Sequence, residues 1–337
     1  MSISKYIIMP FVFVFIFLLY IPDGRTQEEP GEVFEWINPS GGINWTTGFI
    51  SAEGVGIPPE NSHGQAAVSA MACRAAVVVA QRNLLEIVKG VRVESETLVE
   101  DFMLKSDVIR TAVSGVIQGA VIKSRKIEDD GSCIVTLEIP VAGKIASHIY
   151  EDMLLSSRKF MLNETIAGRV SGIMRFFFPV AYAASKNESQ APCKKDINII
   201  FKRLERLEKQ IQVETFKTGR AFTEKDPTGI IIDARGINMV PSMSPKIRGW
   251  NSDVVYPDDK HKAEARKNGR LISLFMNDII LAQNHPRVGS RPLVIKGLKT
   301  YGNSFTEIVL GKESTNELVS VVKKGILDNA EVILVTD

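Results

Sequence analysis

The sequence predicts an α+β protein with two small domains, each a mostly antiparallel sheet covered by helices, joined by a helical connector. Three observations support this prediction. A long amphipathic helix is expected over residues 61–90, an Asp-Gly turn at 129–132 separates two strand patterns, and the chain closes with a strand, a helix and a strand over residues 291–337. Helices that cover one face of a small sheet form an α+β layer.

Composition allows two globular domains and argues against nucleic acid as a partner. The chain has 337 residues, of which 45% are hydrophobic and 24% are charged, as is ordinary for globular proteins. The formal net charge is only +2 and aromatic residues make up 7%, so neither a basic surface nor base stacking is indicated.

The first 27 residues differ from the rest and indicate export. Lys5 precedes an apolar run over residues 7–22 that is short for a membrane span. This pattern is typical of a signal peptide, with an uncleaved N-terminal anchor as the alternative. No cysteine follows the run closely enough to carry a bacterial lipid anchor.

The first domain is expected over residues 28–145. Residues 28–44 are interpreted as an extended tether and 45–56 as a strand. The helix over 61–90 would begin at a capping box of Ser62 and Gln65 and end at Gly90 in a left-handed cap. Its predicted apolar stripe contains Ala66, Ala70, Cys73, Val77, Ala80, Leu84 and Val88. The alanines in its first half predict a close approach to the sheet.

The second half of this domain is predicted from shorter patterns. Residues 91–99 suggest a strand or an extended crossing, and 106–118 a second helix with Ser106 as N-cap. Strands over 120–128 and 133–141 flank Asp129-Asp-Gly-Ser132, and Asp-Gly is a strong signal for a tight hairpin.

Several of these segments resemble the LPP-twenty family of exported bacterial lipoproteins, over about residues 33–145. The resemblance lies in Ala66, Ala70, Ala75, Ala76, the run Asn83–Val93, the helix Asp107–Gly115, Gly119–Val121 and the strand Val135–Val141. Flagellar assembly proteins P and T carry related domains. The resemblance implies an envelope location, envelope or flagellar proteins as partners, and a structural or assembly role without a catalytic motif. The missing lipidation cysteine is a departure from that family.

Residues 146–215 are predicted to be a helical connector. Its segment Ile173–Ala184 is strongly apolar but too short to span a bilayer. It would contact a membrane surface, dock a partner, or lie buried under the second domain. A helix over 194–211 carries an apolar stripe that suits docking on its own domain or oligomerisation; the stripe does not define an oligomeric state.

The C-terminal domain is expected over residues 216–337. Strands are predicted over 226–236, 254–256, 291–301 and 331–337, and a helix over 315–327. The segment Thr228–Lys246 resembles one that accompanies the first domain in some exported bacterial proteins.

Few residues point to chemistry. Asp233 and Arg235 share one face of a strand, where they would form either a structural ion pair beside a turn or a polar clamp for a ligand. Cys73 and Cys133 would form a disulfide or remain two buried thiols. The four histidines, His63, His148, His261 and His285, lack the spacing of a catalytic or metal motif.

The sequence therefore predicts no catalytic, cofactor or metal residues. We expect a non-enzymatic, exported bacterial protein, periplasmic or outer-membrane-associated, that acts as a scaffold or assembly factor and is associated with the flagellum or the outer membrane. The alternative is a periplasmic ligand-binding or sensory module that uses Asp233 and Arg235.

Overall fold

A computed structural model of the protein describes residues 31–58, 65–157 and 226–337. The fold is α+β, as predicted. In these ranges it contains a five-stranded sheet, a seven-stranded sheet and a two-stranded ribbon. The predicted signal segment 1–27, the apolar segment Ile173–Ala184 and the helix predicted over 194–211 lie outside the described residues.

The five-stranded sheet is antiparallel throughout, as predicted for the first domain, with the order β1-β2-β3-β7-β6. Its strands are β1 (Phe34–Asn38), β2 (Gly41–Asn44), β3 (Phe49–Gly56), β6 (Val121–Ile127) and β7 (Cys133–Pro140). The predicted hairpin joins β6 to β7. Gly131 in its turn has a φ of 81°, a conformation that glycine adopts without steric cost.

Helix α1 (Gln65–Gly90) lies along this sheet at a very short distance. A Cβ atom at Gly54 on β3 would lie 2.3 Å from the carbonyl oxygen of Ala76, and one at Gly56 would lie 1.9 Å from that of Ala72. Small residues on both elements therefore permit the close approach that the alanine-rich half of the helix predicted.

The buried face of α1 differs in part from the predicted stripe. It consists of Ala72, Cys73, Ala76, Ala80, Leu84, Ile87 and Val88. Ala70 is exposed and Val77 only partly buried, because the helix turns the 72–76–80 row toward the glycines of β3. Gly90 ends the helix without a left-handed φ. Its role is close contact, since a Cβ there would lie 2.7 Å from Cγ2 of Ile37.

The prediction of an extended tether over residues 28–44 is wrong for the described residues of this range, because they form strands β1 and β2. The polar Asn38-Pro39-Ser40 run is the turn between these two strands, where Asn38 Oδ1 accepts a hydrogen bond from the backbone N–H of Ser40 at 2.9 Å. A Cβ at Gly42 would lie 1.9 Å from the carbonyl oxygen of Glu35. The turn residues and glycines in this range therefore allow two strands to pair closely, and they do not form an unstructured linker.

The remaining described elements of the N-terminal half are two short strands and three helices. The ribbon strands are β4 (Arg92–Glu94) and β5 (Thr97–Leu98), and the helices are α2 (Val99–Lys105), α3 (Asp107–Gln118) and α4 (residues 144–157). The predicted helix over 106–118 is confirmed, with the Ser106 hydroxyl accepting from the N–H of Ile109.

The seven-stranded sheet has the order β10-β9-β13-β12-β8-β14-β11. Its strands are β8 (Gly229–Asp233), β9 (Lys246–Arg248), β10 (Val254–Tyr256), β11 (Leu274–Met276), β12 (Pro292–Tyr301), β13 (Glu307–Leu310) and β14 (Val332–Val335), with helices α5 (Asp259–Asn268), α6 (Ile279–Gln283) and α7 (Lys312–Lys323).

This sheet is mixed, which corrects the mostly antiparallel sheet expected here. Strands β11, β14, β8 and β12 are neighbours that all run parallel. The physical reason is visible in β8 and β14, where every residue is buried. Such continuous apolar strands are typical of parallel sheets that are covered on both faces.

The two sheets share one continuous hydrophobic core. Trp45 packs edge-to-face on Phe275 with ring centroids 5.7 Å apart. The buried hydroxyl of Tyr150 on α4 donates to the carbonyl of Met243 at 2.8 Å and accepts from the N–H of Ile272 at 3.3 Å. The described residues from Gly31 onward belong to one compact unit, and the domain boundaries proposed from the sequence stay predictions.

Within the described ranges, no helix combines the length and the apolar character that crossing a bilayer requires.

Candidate interaction surface

Strand β6 forms one edge of the five-stranded sheet. In the described part of the chain it pairs only with β7, and all seven of its residues are exposed. Its outer edge therefore presents backbone N–H and C=O groups that no described strand satisfies. An edge of this kind is a template for pairing with another extended segment.

The register of β6 on β7 assigns its side chains to two faces. Residues directly opposite each other in an antiparallel pair share a face, and Arg125 lies opposite the buried Val135. On that evidence the face toward α1 carries Ile122, Arg125 and Ile127, and the other face carries Val121, Ser124 and Lys126. The Ser124 hydroxyl bonds to that of Thr136 at 2.8 Å, in agreement with this assignment.

The edge strand carries an excess of positive charge. Lys123 pairs with Glu138 at 2.8 Å and Lys126 with Glu128 at 2.7 Å. The hydrogen bond and charge of Glu128 raise the pKa of Lys126. Arg125 forms no ion pair with a described residue. Two of the three cationic side chains on β6 are paired with carboxylates, so the Arg125 guanidinium remains available to a binding partner.

The sheet face opposite α1 exposes aromatic and aliphatic groups, on β3 and on β1 at the other edge of the sheet. Phe34 and Trp36 on β1 pack edge-to-face with ring centroids 5.0 Å apart, and Trp36 is 59% exposed. Phe49 and Val55 on β3 are also exposed. A cross-strand row links this face to β6, running from Trp36 through Gly42, Ser51 and Glu138 to Val121.

The structure brings Asp233 and Arg235 together at the end of β8, where they bind each other. Nε and Nη2 of Arg235 donate to the two carboxylate oxygens of Asp233 at 2.8 and 3.0 Å. Lys296 Nζ lies 3.2 Å from the same carboxylate. The hydrogen bond from Arg235 is the main reason that the pKa of Asp233 is lowered. The bidentate geometry matches an ion pair beside a turn, the first of the two alternatives.

Cys73 on α1 and Cys133 on β7 are joined by a disulfide that closes a sequence separation of 60 residues. It ties the long helix to the strand that pairs with β6. The structure thus has the disulfide rather than two free thiols.

The described histidines have local structural partners. Nδ1 of His261 lies 2.6 Å from the Asp258 carboxylate at the start of α5, and its ring packs edge-to-face on Tyr256. His148 lies on α4 and His285 follows α6, whereas His63 is outside the described residues. Within the described ranges, no group of three or more His, Cys, Asp or Glu residues is arranged to hold a metal ion.

A charged cluster fixes the β4-β5 ribbon to the larger sheet. Glu307, which is 5% exposed, accepts hydrogen bonds from Arg248 and from the Ser95 hydroxyl. Lys246 lies 3.3 Å from Glu94 and 3.6 Å from Glu307. Burial acts to raise the pKa of Glu307, but the hydrogen bonds and positive charges outweigh it and the pKa is lowered. These charges are matched within the fold.

The hairpin is predicted by its Asp-Gly turn, whereas the exposure of its edge strand is not among the predictions. The signal was the run Lys123-Ser-Arg-Lys126, which interrupts the period-two alternation of a half-buried strand. In a strand with polar residues at consecutive positions, neither face is apolar enough to be buried in the core. Both faces can therefore be exposed to solvent.

Residues 229–337 match a family model described as Treponema pallidum Tp0624, second domain. The match covers about a third of the chain, begins at the first residue of β8 and includes all strands of the larger sheet. The chain has no match among the curated proteins.

Proposed function

We propose that the protein is an exported, non-enzymatic scaffold or assembly factor of the bacterial envelope. It binds an extended segment of a partner along the free edge of β6. The observation that carries this proposal is the complete exposure of β6, whose outer edge, on the side away from β7, has no described strand partner. Addition of a strand to such an edge gains main-chain hydrogen bonds from the edge and specificity from the alternating side chains.

The charge of β6 defines the chemistry of the partner. Lys123, Arg125 and Lys126 disfavour edge-to-edge pairing of two copies, because like charges opposite each other destabilise a sheet. A β-bulge between Ile122 and Ser124 also hinders flat self-pairing. The same cations favour a strand with acidic side chains opposite Arg125 and Lys126 and apolar ones near Val121 and Ile127.

Three observations support export. The apolar run near the N-terminus has the pattern of a signal peptide or an anchor. A disulfide between Cys73 and Cys133 suits an oxidising compartment. The resemblance of residues 33–145 to the LPP-twenty family suggests the periplasm or the outer membrane as the location, and flagellar or other envelope proteins as partners.

Photo-cross-linking in the native cells tests this proposal. A photoreactive residue at Ser124 on β6 is compared with one at Leu298 on β12, which is 63% exposed. We expect a discrete adduct at Ser124 in the envelope fraction and none at Leu298. The double substitution Arg125→Glu, Lys126→Glu should remove that adduct while the protein level stays constant.

Two results contradict the proposal. Recovery of the intact chain in the cytoplasm contradicts export. Adducts of equal yield at Ser124 and Leu298, or adducts at Ser124 that survive the charge reversal, contradict a role for the β6 edge.

A further inference from the structure

A depression of about 570 Å³ lies where β8, β11 and β14 begin, at the opposite end of these parallel strands from Asp233. Its lining includes Thr228 before β8, Glu331 before β14, and the side chains of Arg270, His285 and Arg287. Its size is within the range of small-molecule sites. The β6 edge is on the other sheet, so this depression is a separate feature.

Arg287 supplies a partly buried positive charge. Its Nε donates to the carbonyl of Ala330 at 2.6 Å, and Nη2 donates to the carbonyl of Leu271. Burial lowers the pKa of this guanidinium, and the neighbouring charge of Arg270 acts in the same direction. It forms no ion pair with a described carboxylate. The charge of Glu331 in the same lining acts to raise this pKa but does not offset the effect of burial.

Arg270 adds a second, exposed guanidinium. Nη1 donates to the carbonyl of Asn329 at 3.3 Å, and no described carboxylate forms an ion pair with it. Glu331 is the acidic residue of the lining, and its carboxylate accepts from the N–H of Asn329 at 3.0 Å. Two cations against one carboxylate leave the depression positively charged.

His285 provides a further donor. Its Nδ1 accepts a hydrogen bond from the backbone N–H of Arg287 at 3.1 Å, so the neutral ring carries its proton on Nε2. Burial, with the charge of Arg287, lowers the pKa of His285. The neutral form with a donating Nε2–H therefore prevails at neutral pH, and no described residue accepts this hydrogen bond.

We propose that this depression binds a small molecule through a carboxylate or phosphate group. The anion would receive hydrogen bonds from Arg270 and His285 and add a negative charge beside Arg287, since Glu331 balances only one of the two guanidinium groups. Arginine is suited to such oxyanions because its donors form a planar fork. This site would give the protein the ligand-binding role considered from the sequence, at a place other than the Asp233–Arg235 pair.

NMR titration of the histidine ring resonances tests this inference on the full chain. Inorganic phosphate and succinate are added separately, with chloride adjusted to hold the ionic strength constant. We expect a saturable shift of the His285 resonance and a rise in its pKa, because a bound anion favours the imidazolium. The stronger of the two probes identifies the phosphate or the carboxylate class.

Arg270→Gln is the decisive variant, since the Arg270 side chain is exposed and its replacement is expected to preserve the fold, which the circular dichroism spectrum of the variant checks. It should weaken binding at least tenfold, whereas Arg74→Gln on the exposed face of α1 should leave binding unchanged. The inference is overturned by the absence of a saturable shift up to about 10 mM of either probe, tenfold above a weak dissociation constant of about 1 mM. Equal binding by wild type and Arg270→Gln also overturns it.

Discussion

Replacement of Gly56 by alanine should destabilise the protein, although alanine is the better residue for backbone entropy. A Cβ at this position would lie 1.9 Å from the carbonyl oxygen of Ala72 and 2.6 Å from the backbone nitrogen of Ala76. Backbone atoms cannot move aside as a side-chain tip can, so α1 must shift. Overpacking of this kind costs about 3 kcal/mol at the upper end of its usual range. Replacing a strand glycine by alanine stabilises the folded state by about 0.7 kcal/mol through backbone entropy. The free energy of unfolding should therefore fall by about 2 kcal/mol.

Urea unfolding followed by circular dichroism measures this loss. Gly115→Ala on α3 is the matched control, because a Cβ there meets no atom within 4 Å. In a helix the same exchange should stabilise by about 1 kcal/mol. The two substitutions are thus predicted to change the free energy of unfolding in opposite directions. A Gly56→Ala protein with the stability of wild type would refute the close approach of α1 to β3.

Three further predictions follow from the described contacts. Replacing Cys73 and Cys133 by alanine should lower the free energy of unfolding by about 4 kcal/mol, as expected from closure of a loop of 60 residues; urea unfolding of oxidised wild type and variant measures it, and equal midpoints would exclude the bond. Tyr150→Phe should cost about 2 kcal/mol because its buried hydroxyl serves two hydrogen bonds, whereas Tyr301→Phe, at a ring that is 41% exposed, should be nearly neutral in the same assay. The hydrogen bond from His261 lowers the pKa of Asp258 from 3.8 to about 2, so the stabilisation by the Asp258 carboxylate is present above pH 3.8 and is lost as the pH falls toward 2. The melting temperature of Asp258→Asn should therefore fall less than that of wild type across this pH range. An equal fall in both proteins would contradict the assignment.

Much of the fold could be predicted because local patterns and packing agree. The long helix and the closing strand–helix–strand each show the hydrophobic periodicity of their element type, and the hairpin is marked by Asp-Gly between two strand patterns. The alanines of α1 also predicted its close approach, since small side chains are what such a contact requires. These features depend on neighbours in the chain.

The remainder depends on contacts distant in sequence. Strands β1 and β2 were missed because their glycines and the Asn38-Pro-Ser40 turn have the composition of a linker, and only pairing with β3 makes them strands. The direction of β11 and β12 relative to β8 is likewise set by the whole sheet. The depression joins Arg270, His285 and Arg287 with residues that begin β8 and β14, an arrangement that no local motif encodes.

The β6 edge is most directly tested by hydrogen exchange with short peptides of opposite charge. One peptide alternates glutamate with valine and the other lysine with valine, and backbone amide exchange is followed by NMR. We predict that the glutamate peptide protects amides of β6 (Val121–Ile127) and that the lysine peptide does not. In the Arg125→Glu, Lys126→Glu protein this preference should reverse. Equal responses to both peptides, or protection on another strand with β6 unchanged, would contradict the central claim that β6 receives an acidic strand.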